Sequence, residues 1–150
     1  MRLLNACIIL LLVPYALTAQ APLAGLWKGE ITFGGLHSQK SYPFELFLEV
    51  DDDQLKGRTY IHIGSDDIIE MEVLGRIYFD RSLSLREYEF IPVEGSQVLP
   101  PFSRKYQMIF NRSVFGSTIE GYWQQDHIEP FNVRRDRGRI RLEKMEASKA

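Results

Sequence analysis

The chain is poor in the residues that carry covalent and metal chemistry. It has one cysteine, Cys7, and three histidines among 150 residues. One thiol cannot form an intramolecular disulfide, and His37, His62 and His127 show none of the short spacings that metal motifs use. We therefore expect no disulfide framework, no metal site and no other cofactor. The fold must be held together by an apolar core or by a closed sheet.

An excess of positive charge is also missing. The chain has 18 basic and 20 acidic residues, for a net charge of −2. Proteins that bind nucleic acid usually present a strongly basic surface to the phosphates. We expect no nucleic-acid partner.

Long apolar runs are absent except at the N-terminus. Arg2 supplies a positive charge, Leu3 to Val13 form an apolar run, and Pro14 ends it. The run is about half the roughly 20 residues that a membrane-spanning helix needs. This pattern, with the small residue Ala19 at the cleavage position, predicts a signal peptide over residues 1–19. An uncleaved anchor is the alternative.

Cleavage after Ala19 has two consequences for the mature chain. It removes Cys7 and Arg2, so no thiol remains and the net charge becomes one unit more negative. It also leaves no transmembrane segment. We expect a secreted or periplasmic protein, and a bacterial envelope fits a cysteine-free chain better than an animal secretory route.

The remaining residues, 20–150, predict a single domain with an ordered core at about 25–142. Apolar and polar side chains alternate in short runs separated by turn residues, which is the pattern of half-buried β-strands. The predicted strands are Leu26–Phe33, Ser41–Val50, Leu55–Ile63, Ile68–Tyr78, Ser82–Ile91, Lys105–Arg112, Thr118–Gln124 and one more within Phe131–Leu142.

Eight sequential strands with mostly short connections favour an all-β fold in which neighbours along the chain pair with each other. We predict an antiparallel up-and-down β-barrel, because closure removes the exposed edges of such a sheet. A β-sandwich is the alternative.

The start of the first strand carries a short motif. Gly25-Leu26-Trp27 resembles the Gly-x-Trp signature of calycins, the group of small barrels that includes lipocalins and avidins. The resemblance in architecture covers residues 25–142, and it matches no single branch of the group. It implies a barrel that binds a small molecule. It also implies that a cation, here Arg134, Arg139 or Arg141, stacks on Trp27.

Up-and-down topology sorts the connections onto two ends of the barrel. The longer ones, including residues 92–104, share one end, which we predict to be the open mouth. Trp27 falls at the other end, where we expect it to fill the barrel floor. Four aromatic residues are predicted to point inward near the mouth and to contact a ligand: Trp123, Tyr42, Phe44 and Tyr106.

Two glutamates in the fifth strand leave a choice open. If Glu87 and Glu89 keep the side of Leu83 and Leu85, both carboxyl groups point into the barrel, where acid–base chemistry is possible. A bulge near Arg86 would instead turn them to solvent and bring Tyr88 and Phe90 inward. We favour the bulge because unpaired buried carboxylates are costly.

An arginine cluster lies near the C-terminus and consists of Arg134, Arg135, Arg137, Arg139 and Arg141. Its alternate members would project on one face of a strand, where they could contact an anionic envelope surface. The simpler interpretation is that these charges are solvated and prevent the strand from pairing with another chain.

Three functions remain open. The first is a non-enzymatic barrel that binds a small apolar or amphipathic molecule at its mouth. The second is an interaction or structural module of the cell envelope with a solid core. The third is an enzyme that uses Glu87 or Glu89.

Overall fold

A computed structural model describes residues 22–126 and 136–146. Eight antiparallel strands close into one barrel, in which each strand pairs with its neighbours along the chain and β8 pairs with β1. The prediction of an all-β up-and-down barrel is confirmed. The strands are β1 (Gly25–Thr32), β2 (Ser41–Asp51), β3 (Gln54–His62), β4 (Ile68–Ile77), β5 (Ser82–Ile91), β6 (Arg104–Asn111), β7 (Thr118–Gln125) and β8 (Arg137–Lys144).

Strand alternation decides which side chains enter the barrel. In β2, Phe44, Leu46 and Leu48 are buried, while Phe47 and Glu49, of the opposite parity, are exposed. The same period of two appears in β6, where Tyr106, Met108 and Phe110 are buried. Since successive side chains of a strand point to opposite faces, one face of every strand contributes to a single interior.

Two ends of the barrel follow from this topology. The mouth end carries the connections 33–40, 63–67 and 92–103, and β7 ends there. The floor end carries the turns 52–53, 78–81 and 112–117, and it is where β1 begins and β8 ends. Trp123 lies toward the mouth end and Trp27 lies at the floor end.

A bulge in β5 corrects the favoured prediction for its glutamates. Val73 pairs with Glu87 and Glu72 pairs with Glu89, so Tyr88 is the extra residue. The bulge lies two positions beyond Arg86. Glu87 is therefore buried and Tyr88 is exposed, whereas the favoured prediction placed Glu87 in solvent and Tyr88 inside the barrel. Glu89 is exposed and Phe90 packs on the core, as that prediction stated.

The close approach of two strands explains a glycine in β8. A Cβ at Gly138 would lie 1.8 Å from the carbonyl oxygen of Thr32 and 2.5 Å from Nε1 of Trp123. No side chain fits there without moving the backbone of β1. The glycine thus leaves the space in which the Trp123 indole reaches β1.

Candidate functional site

Glu87 is the centre of a buried polar cluster in the half of the barrel nearer the mouth end. Its side chain accepts hydrogen bonds from Oγ1 of Thr59 at 3.2 Å, from the backbone N of Arg104 at 2.9 Å and from Nη1 of Arg104 at 3.2 Å. The hydroxyl of Tyr106 also donates to it. We call these four residues the Glu87 cluster. Each is at most 1% exposed, so the ion pair between Glu87 and Arg104 lies out of contact with bulk water.

Arg104 is also enclosed by aromatic rings. Its guanidinium carbon lies 5.4 Å from the ring centroid of Phe33, 5.1 Å from that of Phe102 and 5.3 Å from that of Trp123. Such cation–π contacts are stronger when the cation is shielded from water. The charge of Arg104 is therefore held by Glu87 on one side and by aromatic faces on the others.

One donor of Arg104 remains unused. Its Nε atom is buried and has no hydrogen-bond partner among the described residues. Buried polar groups are nearly always satisfied, because an unmet donor costs about 1–3 kcal/mol. The barrel thus keeps one strong donor available at its mouth end.

Burial shifts the pKa values of Glu87 and Tyr106 within this cluster. Desolvation raises the pKa of the Glu87 carboxyl, while the Arg104 charge and the hydrogen bond from Tyr106 oppose that rise. The pKa of Tyr106 lies well above its usual value, because burial and the neighbouring Glu87 charge both disfavour the phenolate. The cluster is therefore built to keep the Tyr106 proton in place.

The structure brings the predicted mouth residues together as a packed layer. Trp123, Tyr106 and Phe44 are at most 1% exposed and Tyr42 is half-buried. The rings of Phe44 and Tyr106 stack with centroids 6.0 Å apart. Nε1 of Trp123 donates to the carbonyl of Thr32 at 2.8 Å. Their role as ligand contacts stays a prediction.

Phe102 covers this layer from the loop between β5 and β6. Its ring stacks on Trp123 with centroids 5.9 Å apart and an interplanar angle of 22°. Phe33 packs on the same indole at 5.0 Å. Phe102 and Phe33 thus pack against both Trp123 and Arg104 at the mouth end.

The floor end has a different arrangement around Trp27. Its indole Nε1 donates to the carbonyl of Leu23 at 2.8 Å, and the ring of Phe110 meets it edge-on at 5.8 Å. The cation over the ring is Lys144, with Nζ 4.8 Å from the ring centroid. Lys144 also donates to the carbonyl of Ala24, and burial lowers its pKa.

The prediction that Arg139 or Arg141 stacks on Trp27 was therefore wrong. Arg139 and Arg141 point outward from β8, as does Arg137, because they have the opposite parity to the buried Ile140 and Leu142. Arg134 and Arg135 lie outside the described residues. Three members of the arginine cluster thus share the outer face of β8, and Arg141 pairs with Glu120 at 3.4 Å.

A groove lies on the outer wall beside these arginines. It has a volume of about 630 Å³ and includes Arg139, Arg141, Tyr122 and Glu30 in its lining. A second cavity, of about 760 Å³, lies at the mouth end beside the loop of residues 34–38. Neither lining includes a member of the Glu87 cluster.

Arg104 is the main residue that sequence reasoning missed. It was assigned to the long loop, but it begins β6 and has the same parity as Tyr106 and Met108. That parity was the available signal, because an extension of the strand by one residue turns Arg104 inward. Arg104 is then a buried cationic partner for Glu87, so burial of this carboxylate does not leave an unpaired charge.

The described residues cover the ranges 22–126 and 136–146. They contain no group of three or more His, Cys, Asp or Glu side chains arranged to hold a metal ion. They also contain no helix that is long and apolar enough to cross a membrane. His127 lies outside these ranges.

Comparison with known proteins adds nothing to this geometry. No protein-family model, no curated protein and no solved structure matches the chain. The closed eight-strand barrel is the architecture that the Gly-x-Trp resemblance implies. Any function must therefore be argued from the site itself.

Proposed function

We propose that this protein is a secreted, non-enzymatic, calycin-like barrel that binds a small amphipathic molecule at its mouth end. The observation that carries the proposal is the Nε donor of Arg104, a member of the Glu87 cluster, which is buried beneath Phe102 and has no hydrogen-bond partner in the part of the chain that the structure describes. A hydrogen-bond acceptor on the ligand, such as a carbonyl or carboxylate oxygen, would satisfy this donor. The apolar body of the ligand would take the place of the Phe102 ring on Trp123.

The arrangement around Trp27 supports the calycin-like part of the proposal. A cation stacked on the tryptophan at the start of β1 is what the resemblance implies, and Lys144 supplies it here. The Trp27 indole also donates to the carbonyl of Leu23. The floor would then be structural, and ligand contacts would be confined to the mouth end.

An enzymatic role for Glu87 is less well supported. The protein itself supplies four hydrogen bonds to this carboxylate. A general acid or base must exchange its proton with a substrate within hydrogen-bond reach. Glu87 is instead positioned to hold Arg104, while Glu89 is exposed on the outer face.

A second candidate is an envelope interaction module with a solid core. The tight packing of Trp123, Tyr106 and Phe44 favours it, because small barrels are often filled by their own side chains. In that case the outer face of β8, with Arg137, Arg139 and Arg141, would make the contacts.

Tryptophan fluorescence distinguishes the two candidates. The chain has two tryptophans, so Trp123→Phe and Trp27→Phe each leave one reporter. A panel of apolar and amphipathic ligands should quench the wild type and the Trp27→Phe variant, but not Trp123→Phe. Phe102→Ala should speed association, whereas Leu99→Ala, an exposed change on the same loop, should not.

Native mass spectrometry of protein purified from its own host provides the second measurement. A small molecule bound at one per chain supports the carrier function and identifies the ligand. No bound molecule, together with unchanged fluorescence across the panel, would favour the solid-core module.

A further inference from the structure

Three large apolar side chains at the floor end are fully exposed. Phe79 is 103% exposed, Val114 is 98% exposed and Phe115 is 100% exposed. Phe79 lies in the turn between β4 and β5, and the other two lie in the turn between β6 and β7. Gly, Pro, Asn, Asp and Ser dominate tight turns because they suit turn geometry. Neither core packing nor turn geometry therefore explains why these three positions are apolar.

The two turns lie beside each other. β5 pairs with β6, and the backbone N of Phe110 donates to the carbonyl of Arg81 at 3.0 Å. Met145, 45% exposed, follows Lys144, whose backbone N donates to Ser117 at 3.0 Å. Phe79, Val114 and Phe115, which we call the tip surface, therefore project from neighbouring turns of one barrel end.

Positive charge accompanies the tip surface. Arg81 and Arg112 are exposed, each within three residues of a tip side chain. The nearest acid on these turns is Asp80, which accepts hydrogen bonds from the backbone N of Ser82 at 3.0 Å and from its hydroxyl at 2.7 Å. Its carboxylate is thereby engaged within its own turn.

Other acids at this end restrict the possible orientation. Asp51, Asp52 and Asp53 lie at the β2–β3 turn, and the exposed Glu143 and Glu146 lie at and just past the end of β8. Both acidic groups lie away from β5 and β6, the strands between the two turns that carry the tip surface. A flat anionic surface would therefore meet the barrel end at a tilt, with the side of β5 and β6 inserted and both acidic groups held away.

We propose that the tip surface docks this protein on a lipid bilayer that contains anionic headgroups. Apolar side chains flanked by two cations fit the boundary between acyl chains and phosphates, because each part meets its preferred environment. Each arginine near such a surface adds attraction that weakens with salt. This contact is separate from the proposed ligand site, which lies at the other end of the barrel.

Vesicle co-sedimentation tests the proposal. The protein is mixed with vesicles of phosphatidylcholine alone or of phosphatidylcholine with phosphatidylglycerol, and the bound fraction is measured. The wild type should bind the anionic vesicles better, and added salt should weaken the binding. The double variant Phe79→Ser with Phe115→Ser should bind at least about tenfold more weakly, since two apolar insertions are lost. Leu99→Ser, a change of similar exposure at the mouth end, should bind like the wild type.

The charge contribution is tested separately. Arg81→Gln with Arg112→Gln should reduce binding to anionic vesicles and leave the weak binding to neutral vesicles unchanged. Lys56→Gln, an exposed change on β3, is the matched control. All of these side chains are exposed, and thermal unfolding should show that each variant keeps wild-type stability.

Three results would overturn the proposal. One is absence of wild-type binding to anionic vesicles. Another is equal binding of the wild type and the Phe79→Ser, Phe115→Ser variant. The third is a dimer or a protein complex that forms through these residues while vesicle binding is absent, which would assign the tip surface to a protein partner.

Discussion

Replacement of Arg104 by methionine should make the stability of the barrel strongly dependent on pH. The guanidinium is 1% exposed, and its Nη1 lies 3.2 Å from a carboxylate oxygen of Glu87. Methionine fills much of the same space but leaves the carboxylate buried without a cation. Removal of one partner from a buried ion pair costs about 3–5 kcal/mol. For a domain of this size that loss corresponds to a decrease of about 10–20 °C in the unfolding temperature.

The sign of the pH dependence follows from linkage. Burial already raises the pKa of Glu87 in the folded protein, and Arg104 is the largest influence that opposes it. Without Arg104 that pKa rises further, so the folded state binds a proton that the unfolded state releases. The cost of the substitution is therefore small below the unfolded carboxyl pKa of about 4.3. It grows as the pH rises through the folded pKa.

Urea unfolding followed by circular dichroism, for the wild type and the variant between about pH 4 and pH 8, measures this difference. The double variant Glu87→Gln with Arg104→Met is the control. It has no carboxylate to titrate, so its stability relative to the wild type should show much less pH dependence. A destabilisation of Arg104→Met that is the same at both ends of this range would refute the argument that Arg104 compensates a buried charge.

Three further predictions concern individual side chains. Trp27→Ala should lower the free energy of unfolding by about 3–5 kcal/mol through loss of buried area at the floor, as measured by urea unfolding; a loss below about 1 kcal/mol would contradict a buried structural role. Gly138→Ala should destabilise the barrel and shift the emission of Trp123, because a Cβ would lie 1.8 Å from Thr32 O; an unchanged spectrum would argue against this close approach. Tyr106 should stay protonated as the pH rises above about 10, so stability should fall there. A spectroscopic titration in which Tyr106 ionises together with the other tyrosines of the folded protein would disprove it.

Local pattern was enough to predict the barrel and the direction of most side chains. β2 and β6 alternate without interruption, so Phe44 and Tyr106 were placed inward correctly. Short turns then required neighbours to pair. These features depend on residues that are close in sequence, and that is why they were predictable.

The polar site depended on contacts between distant strands. Glu87 lies on β5 and its partners lie on β3 and β6, so no local pattern shows that its charge is compensated. The bulge at Tyr88 likewise follows from the pairing of β5 with β4. The cation on Trp27 was placed too early in the chain because β8 was expected to end at residue 142, before Lys144.

The seam between β1 and β8 has a consequence for the folding kinetics. It joins strands separated by more than 100 residues, and two bonds to Thr32 strengthen it: Trp123 donates to its carbonyl and the backbone N of Arg139 donates to its hydroxyl. All other strand pairs are sequence neighbours. The seam is thus the strand pairing with the longest loop to close, and β1 and β8 are unprotected edges until it forms. The rate of seam closure would set how long a newly synthesised chain stays vulnerable to edge-to-edge aggregation.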